Sequence, residues 1–230
     1  MQWLFYFGIM NKEKLYVAIK KINRQYIQDN YDNLLNNLHP TRKLSVERFN
    51  NFEAKCVGIT AGYLLQNVYE KTTGLDRKNI SIATGNNGKP YIENSKFIYN
   101  LSHSKDYVVL VYYFGDEAIN LGIDIEPIRE HKNDRKVADR FFTEEERQYI
   151  FGEADSKSAN EKFFEIWTMK ESYLKMKGTG ISVGLDSFSV NPLSLACNQK
   201  DCWFENIRYD GYIISVCADK IFELDVESNL

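Results

Sequence analysis

Tyr107-Val108-Val109-Leu110-Val111-Tyr112-Tyr113-Phe114 is the stretch on which the fold turns. It carries no charge and reads as a buried β-strand. Gly115-Asp116-Glu117 turns the chain, and Ala118 to Glu126 returns as a second strand. Outward from this pair, residues 2–9 read as a first strand and Lys12 to Asn37 as helix. Phe52 to Tyr69 places Val57, Ala61, Leu64, Leu65 and Val68 at helical spacing. Ile80 to Ala83 is a short strand before the turn Gly85-Asn86-Asn87-Gly88. Thr143 to Phe151 is a helix opened by a Thr143/Glu146 capping box. Asn160 to Lys177 is a longer helix that stops at Gly178. Phe188 to Val190, Trp203 to Arg208 and Tyr212 to Ala218 close the chain as strands. Helices mixed with hairpins predict an α+β fold.

The 230 residues contain 29 Lys+Arg and 32 Asp+Glu, a formal net charge of −3. That leaves no broad basic field for nucleic acid or an anionic membrane, so neither is an expected partner. Hydrophobic residues make up 43% and charged residues 27%, which excludes a disordered class. The apolar run Trp3 to Met10 is shorter than a bilayer span and lacks a cationic leader. The four cysteines (Cys56, Cys197, Cys202, Cys217) form no C-x-x-C pair and there are only three histidines, which argues against zinc. With no export signal they are expected to be reduced thiols in a cytoplasmic protein, although two bridges stay open.

The segments that carry chemistry lie around the central strands. In Gly122-Ile123-Asp124-Ile125-Glu126-Pro127, strand alternation points Ile123 and Ile125 one way and Asp124 and Glu126 the other. The two acidic Cα atoms are then roughly 7 Å apart. Two carboxylates on one face suit a hard divalent cation; a solvated polar face would have the same pattern. In Trp167-Thr168-Met169-Lys170-Glu171-Ser172-Tyr173-Leu174-Lys175, Glu171 sits at the margin of an apolar helical stripe, with Lys175 one turn on. That pair alone is also an ordinary surface Glu-Lys couple. Lys170 projects into the stripe, where a lysine needs an anionic partner or a route to water. Asn100-Leu101-Ser102-His103-Ser104 reads as a loop beside the strongest strand, and Gly88-Lys89-Pro90 as a restrained loop with a fixed lysine. No phosphate-binding glycine loop and no G-x-S-x-G elbow is present.

In this order G-K-P, N-L-S-H-S, G-I-D-I-E, R-F-F-x-x-x-E and W-T-M-K-E-S-Y-L-K resemble the 4′-phosphopantetheinyl transferases of the larger, surfactin-synthetase-activating type. The resemblance runs from about Pro40 to the C-terminus. It implies two similar α/β lobes related by pseudo-twofold symmetry, residues 1–120 and 121–230, with coenzyme A in the cleft between them. It implies transfer of the phosphopantetheine arm of coenzyme A to a serine of an apo acyl or peptidyl carrier protein, releasing adenosine 3′,5′-bisphosphate, by a monomeric, Mg²⁺-dependent enzyme. By resemblance the metal ligands are Asp124, Glu126 and Glu171, and the catalytic residues Glu171, Lys175 and Asp124. The coenzyme A contacts are Lys89, Ser102, His103, Lys170 and Lys175. Glu171 is the candidate base on the carrier serine, and a ligand role competes for the same carboxylate. Alternatives are another Mg²⁺-dependent phosphoryl transferase, or a non-catalytic module that binds coenzyme A or a carrier protein. One departure stands out. Family members carry Arg-Thr or Arg-Ser shortly before the glycine that matches Gly62. This chain reads Cys56-Val57-Gly58-Ile59-Thr60-Ala61-Gly62, so Arg42 or Lys43 is expected to replace the pair at the adenosine 3′-phosphate, with weaker discrimination against dephospho-coenzyme A.

Overall fold

A computed structural model describes residues 13–85, 87–130, 134–152, 156–180, 184–199 and 202–228. The strand expected at residues 2–9 lies outside them. The first half runs β1 (Lys14–Lys21), α1 (Arg24–Asp29), α2 (Tyr31–Asn36), α3 (Pro40–Glu47), α4 (Phe52–Thr73), β2 (Ile82–Thr84), β3 (Pro90–Ile92), β4 (Phe97–Ser104) and β5 (Tyr107–Phe114). The second runs β6 (Leu121–Pro127), α5 (Asp134–Phe141), α6 (Glu144–Phe151), α7 (Ser156–Lys177), β7 (Val190–Asn191), β8 (Ala196–Cys197), β9 (Trp203–Tyr209), β10 (Tyr212–Ala218) and β11 (Glu223–Glu227).

The main sheets are ordered β11-β1-β5-β4 and β6-β10-β9. They pack face to face, with α4 outside the first and α7 outside the second. The register of β5 explains its unbroken apolar run. Val108, Leu110 and Tyr112 pack toward α4, while Val109, Val111 and Tyr113 enter the core between the sheets. Both faces are buried, so no polar alternation survives. β10 repeats this, with Ile214 and Val216 in the central core and Ile213 and Cys217 under α7. Each half thus presents a strand, a long helix and an antiparallel hairpin: β1, α4, β4-β5 and β6, α7, β9-β10. This is an α+β fold of two similar lobes.

Some sequence readings change. The segment Lys12 to Asn37 is not one helix: residues 14–21 are β1, the central neighbour of β5, and only then come α1 and α2. The return strand after Gly115 does not pair with β5; β6 joins β10 in the second sheet, carrying the chain from one lobe to the other. The C-terminal strand crosses back to the first lobe. There β11 pairs in parallel with β1, from Lys14↔Glu223 to Ala18↔Glu227, and covers what would otherwise be an open sheet edge. Finally, Cys197 and Cys202 form a disulfide across the loop between β8 and β9, while Cys56 and Cys217 are buried free thiols. The expectation of four reduced thiols is corrected, because the turn of the chain brings together two cysteines whose spacing matches no familiar motif.

The long helices end as their sequences require. Asn51 accepts a hydrogen bond from Ala54 N at 2.7 Å to start α4, and Gly74 closes it in the left-handed region at φ 69°. α7 stops before Gly178, at φ 67°. The Thr143/Glu146 capping box is present at the start of α6.

Candidate active site

The site is set by a close approach of α7 to β6. A Cβ on Gly122 would collide with the backbone oxygen of Ser172 and the backbone nitrogen of Met176. Only glycine lets the helix lie directly on the strand. Alternation then does what the sequence predicts. Ile123 and Ile125 enter the central core, and Asp124 and Glu126 share the opposite face, toward α7. Asp124 is 6% exposed, so this is no solvated polar face.

Lys175 Nζ donates to Asp124 Oδ1 at 2.7 Å and to Ser102 Oγ at 2.8 Å. Ser102 Oγ donates to the same Asp124 oxygen at 2.9 Å. Ser104 Oγ donates to Glu126 Oε2 at 3.0 Å, and Asn100 Oδ1 accepts from Ile123 N at 2.9 Å. The segment read as a loop is therefore strand β4. Its alternate polar residues Asn100, Ser102 and Ser104 face β6 of the other lobe instead of solvent. A period-two polar pattern was the available signal. His103 points to the other face of β4 and is exposed. Partial desolvation and the Lys175 charge hold its imidazole below the ordinary value.

Glu171 is half-buried one turn before Lys175 and makes no hydrogen bond or ion pair among the described residues. Burial, then the Asp124 charge, raises its pKa, against the pull of Lys175. Burial and Asp124 raise Glu126 in the same way. Asp124 Oδ2 is buried with no hydrogen-bond partner. Among the described residues no three His, Cys, Asp or Glu groups converge tightly enough to hold a metal ion. Even so, an orphaned carboxylate oxygen beside two carboxylates that resist ionisation fits a hard cation with oxygen ligands.

Lys170 does not belong to this cluster. It lies five residues before Lys175, roughly 140° away around the helix. Its ammonium is fully buried, 2.9 Å from Glu146 Oε1, and donates to the carbonyls of Leu185 and Phe188 at 2.6 and 2.5 Å. Glu146, 1% exposed, also accepts from Thr143 N and Val190 N. The coenzyme A contact expected of Lys170 is corrected: the residue ties α7 to α6 and to the loop before β7. The sequence showed that Lys170 needed an anionic partner or a route to water, and the fold supplies Glu146.

Lys89 reaches from the β2–β3 turn across to the second lobe, donating to Leu121 O at 2.8 Å and Met176 O at 3.2 Å. Burial lowers its pKa to about 8 from an ordinary 10.5. Between those two values the unfolded chain binds more protons than the folded one, so this group makes stability rise with pH. In Lys89→Met that component is expected to vanish. Denaturant titrations of both proteins at pH 8 and pH 10 check it, and equal pH increments in the two would refute it.

Arg42 lies over the departure in α4. A Cβ at Gly62 would stand 2.8 Å from Arg42 Cγ, so the stem of Arg42 crosses the glycine that the missing pair would precede. Its guanidinium lies near Tyr99, is lowered in pKa by burial, and makes no hydrogen bond or ion pair among the described residues. Lys43 instead donates to Asn36 Oδ1 at 2.7 Å. A cleft lined by Gly88, Lys89, Asn100, Glu171, Lys175 and Gly180 opens between the lobes.

Residues 120–217 match the family described as the 4′-phosphopantetheinyl transferase superfamily, and residues 25–114 the 4′-phosphopantetheinyl transferase N-terminal family. The 4′-phosphopantetheinyl transferase Sfp of Bacillus subtilis (strain 168) is 27% identical over 206 residues, covering 86% of this chain and 89% of the relative. The 4′-phosphopantetheinyl transferase psf-1 of Bacillus pumilus is 34% identical over 167 residues, 68% of each chain. The 4′-phosphopantetheinyl transferase gsp of Aneurinibacillus migulanus is 28% identical over 195 residues, covering 80% and 78%. With both lobes matched, and the carboxylates of one lobe held by the hydroxyls of the other, the chain belongs to the 4′-phosphopantetheinyl transferase superfamily, in its two-lobed surfactin-synthetase-activating type.

Proposed function

We propose that this enzyme transfers the 4′-phosphopantetheine group of coenzyme A to a serine hydroxyl of an apo acyl or peptidyl carrier protein. The observation that carries the reading is the cross-lobe cluster Ser102–Asp124–Lys175, with Glu171 unpartnered beside it. The serine oxygen forms a bond to the β-phosphorus of coenzyme A. The bond from that phosphorus to the bridging oxygen breaks, and adenosine 3′,5′-bisphosphate leaves with the electron pair. Glu171 would take the serine proton, and burial and the Asp124 charge raise its pKa in the direction a general base needs. Lys175 and His103 would meet the phosphates. Asp124, Glu126 and Glu171 would hold Mg²⁺, which supplies charge neutralisation at the breaking pyrophosphate. Glu171 can act as ligand, as base or as both.

In this reading the first lobe, residues 1–120, holds the adenosine and phosphate end through Arg42, Lys89, Ser102 and His103. Residues 121–230 supply the acidic cluster and the α7 helix, apart from β11. Both walls of the cleft come from one chain, so a monomer suffices. No helix of the described residues is long and apolar enough to cross a membrane. The reading remains that of a cytoplasmic enzyme, and the net charge of −3 offers no broad basic field to nucleic acid or an anionic membrane. The test is to mix the protein with coenzyme A, Mg²⁺ and apo carriers from fatty-acid and nonribosomal systems, then weigh the carriers. A gain of one phosphopantetheine supports transfer; no gain on any carrier would sink it.

Arg42 supplies a separate test at the adenosine end. A hydrogen bond to a charged group contributes about 1.5–3 kcal/mol, so Arg42→Ala should raise the KM for coenzyme A about tenfold or more. The KM for dephospho-coenzyme A should hardly move, because it lacks the 3′-phosphate. Equal effects on both substrates would remove Arg42 from that contact.

A further inference from the structure

The polar residues of β4 and the acidic residues of β6 are matched one to one across the lobes. Ser102 and Ser104 are two apart on one strand, and Asp124 and Glu126 are two apart on the other. Ser102 donates to Asp124, and Ser104 donates to Glu126 Oε2 at 3.0 Å. Asn100 extends the row by accepting from Ile123 N. The two serines are not equivalent. Ser102 is shared with Lys175, whereas Ser104 makes no other side-chain hydrogen bond among the described residues. Glu126 in turn has no other hydrogen bond and no ion pair there, so one hydroxyl governs the orientation of a carboxylate on a flexible side chain. Oε1 of Glu126 accepts no hydrogen bond among the described residues.

We propose that Ser104 is a positioning residue that anchors Glu126 through Oε2 and so presents the carboxylate, by its other oxygen, to a divalent cation. The proposal rests on the reading of Asp124, Glu126 and Glu171 as the cation holders. It separates two neighbouring serines of one motif: Ser102 serves Asp124 and the substrate-facing lysine, while Ser104 serves the ion site alone. A ligand left to sample its rotamers loses affinity through entropy, not through lost charge.

Mn²⁺ binding to the full chain without coenzyme A, followed by the paramagnetic resonance signal of free Mn²⁺, tests this independently of turnover. Removal of such an outer partner typically weakens a metal site about 10–100-fold, and Ser104→Ala is expected to fall in that range. The half-saturating Mg²⁺ concentration for transfer should rise in parallel, with the KM for coenzyme A at saturating Mg²⁺ unchanged. Ser104→Thr, which keeps the hydroxyl, should restore both values. In a Glu126→Gln background, Ser104→Ala should add little. Parent-like Mn²⁺ affinity in Ser104→Ala overturns the role, as does a Ser104→Thr variant as weak as the alanine. If the parent binds no Mn²⁺, or Asp124→Asn leaves its binding intact, the ion reading itself falls and takes the proposal with it.

Discussion

Glu171→Gln is expected to lower kcat/KM for carrier modification by about 10²–10⁴-fold, the usual contribution of a positioned general base. The fold should survive. Glu171 is half-buried and accepts no hydrogen bond among the described residues, and both burial and the Asp124 charge oppose its ionisation. Replacing it with a neutral isostere removes a repulsion and no partner, so the melting temperature should hold or rise slightly. The pH profile separates base from ligand. A base must be deprotonated to work, so parental kcat/KM should fall as pH drops through a value above the ordinary carboxylate range. If Glu171 is the base, that acidic limb disappears in the variant while the half-saturating Mg²⁺ concentration stays put. If it is chiefly a ligand, the Mg²⁺ requirement rises instead. Near-parental turnover would remove Glu171 from the mechanism altogether.

The site was more legible than the lobes that build it. Asp124 and Glu126 could be placed on one face because strand alternation is a local property, and Glu171 and Lys175 because one helical turn separates them. Whether that face met solvent or protein was not local. It depended on α7 lying over β6, which is why a solvated face remained open until the burial of Asp124 was seen. The same limit explains β4. Asn100, Ser102 and Ser104 look like loop residues when polar side chains are assumed to face water; here they face the other lobe. β1 hid in a polar stretch because the charges of Lys14, Lys20 and Lys21 flank a short buried centre of Val17, Ala18 and Ile19. Lys170 announced a need for an anion or a route to water, and only tertiary packing chose Glu146. The lobes share a fold without a detectable sequence repeat, since packing asks for matching apolar faces and not matching residues.

Gly122→Ala should be the most damaging single methyl group in this protein. The position has an ordinary strand conformation, so the cost is not backbone strain but volume. The new Cβ would meet the Ser172 carbonyl and the Met176 amide of α7, and neither can rotate away as a side chain could. Overpacking against side chains costs about 1–3 kcal/mol, and here the obstacle is helix backbone, so about 3 kcal/mol or more is expected. For a chain of this size that corresponds to a melting temperature lower by about 6–12 °C. Relief requires α7 to lift from β6, which carries Lys175 away from Asp124 Oδ1, now at 2.7 Å, and Glu171 with it. A shift of about 1 Å in such groups can cost about 10²-fold in rate. The folded fraction should therefore be slow as well as fragile. Gly85→Ala is the control: it lies near the same cleft, but its Cβ would meet only Lys89 O, at an ordinary 3.5 Å. Urea denaturation and initial rates on the two variants check the contrast. If Gly122→Ala matched Gly85→Ala in both, the close helix approach would not be what assembles the site.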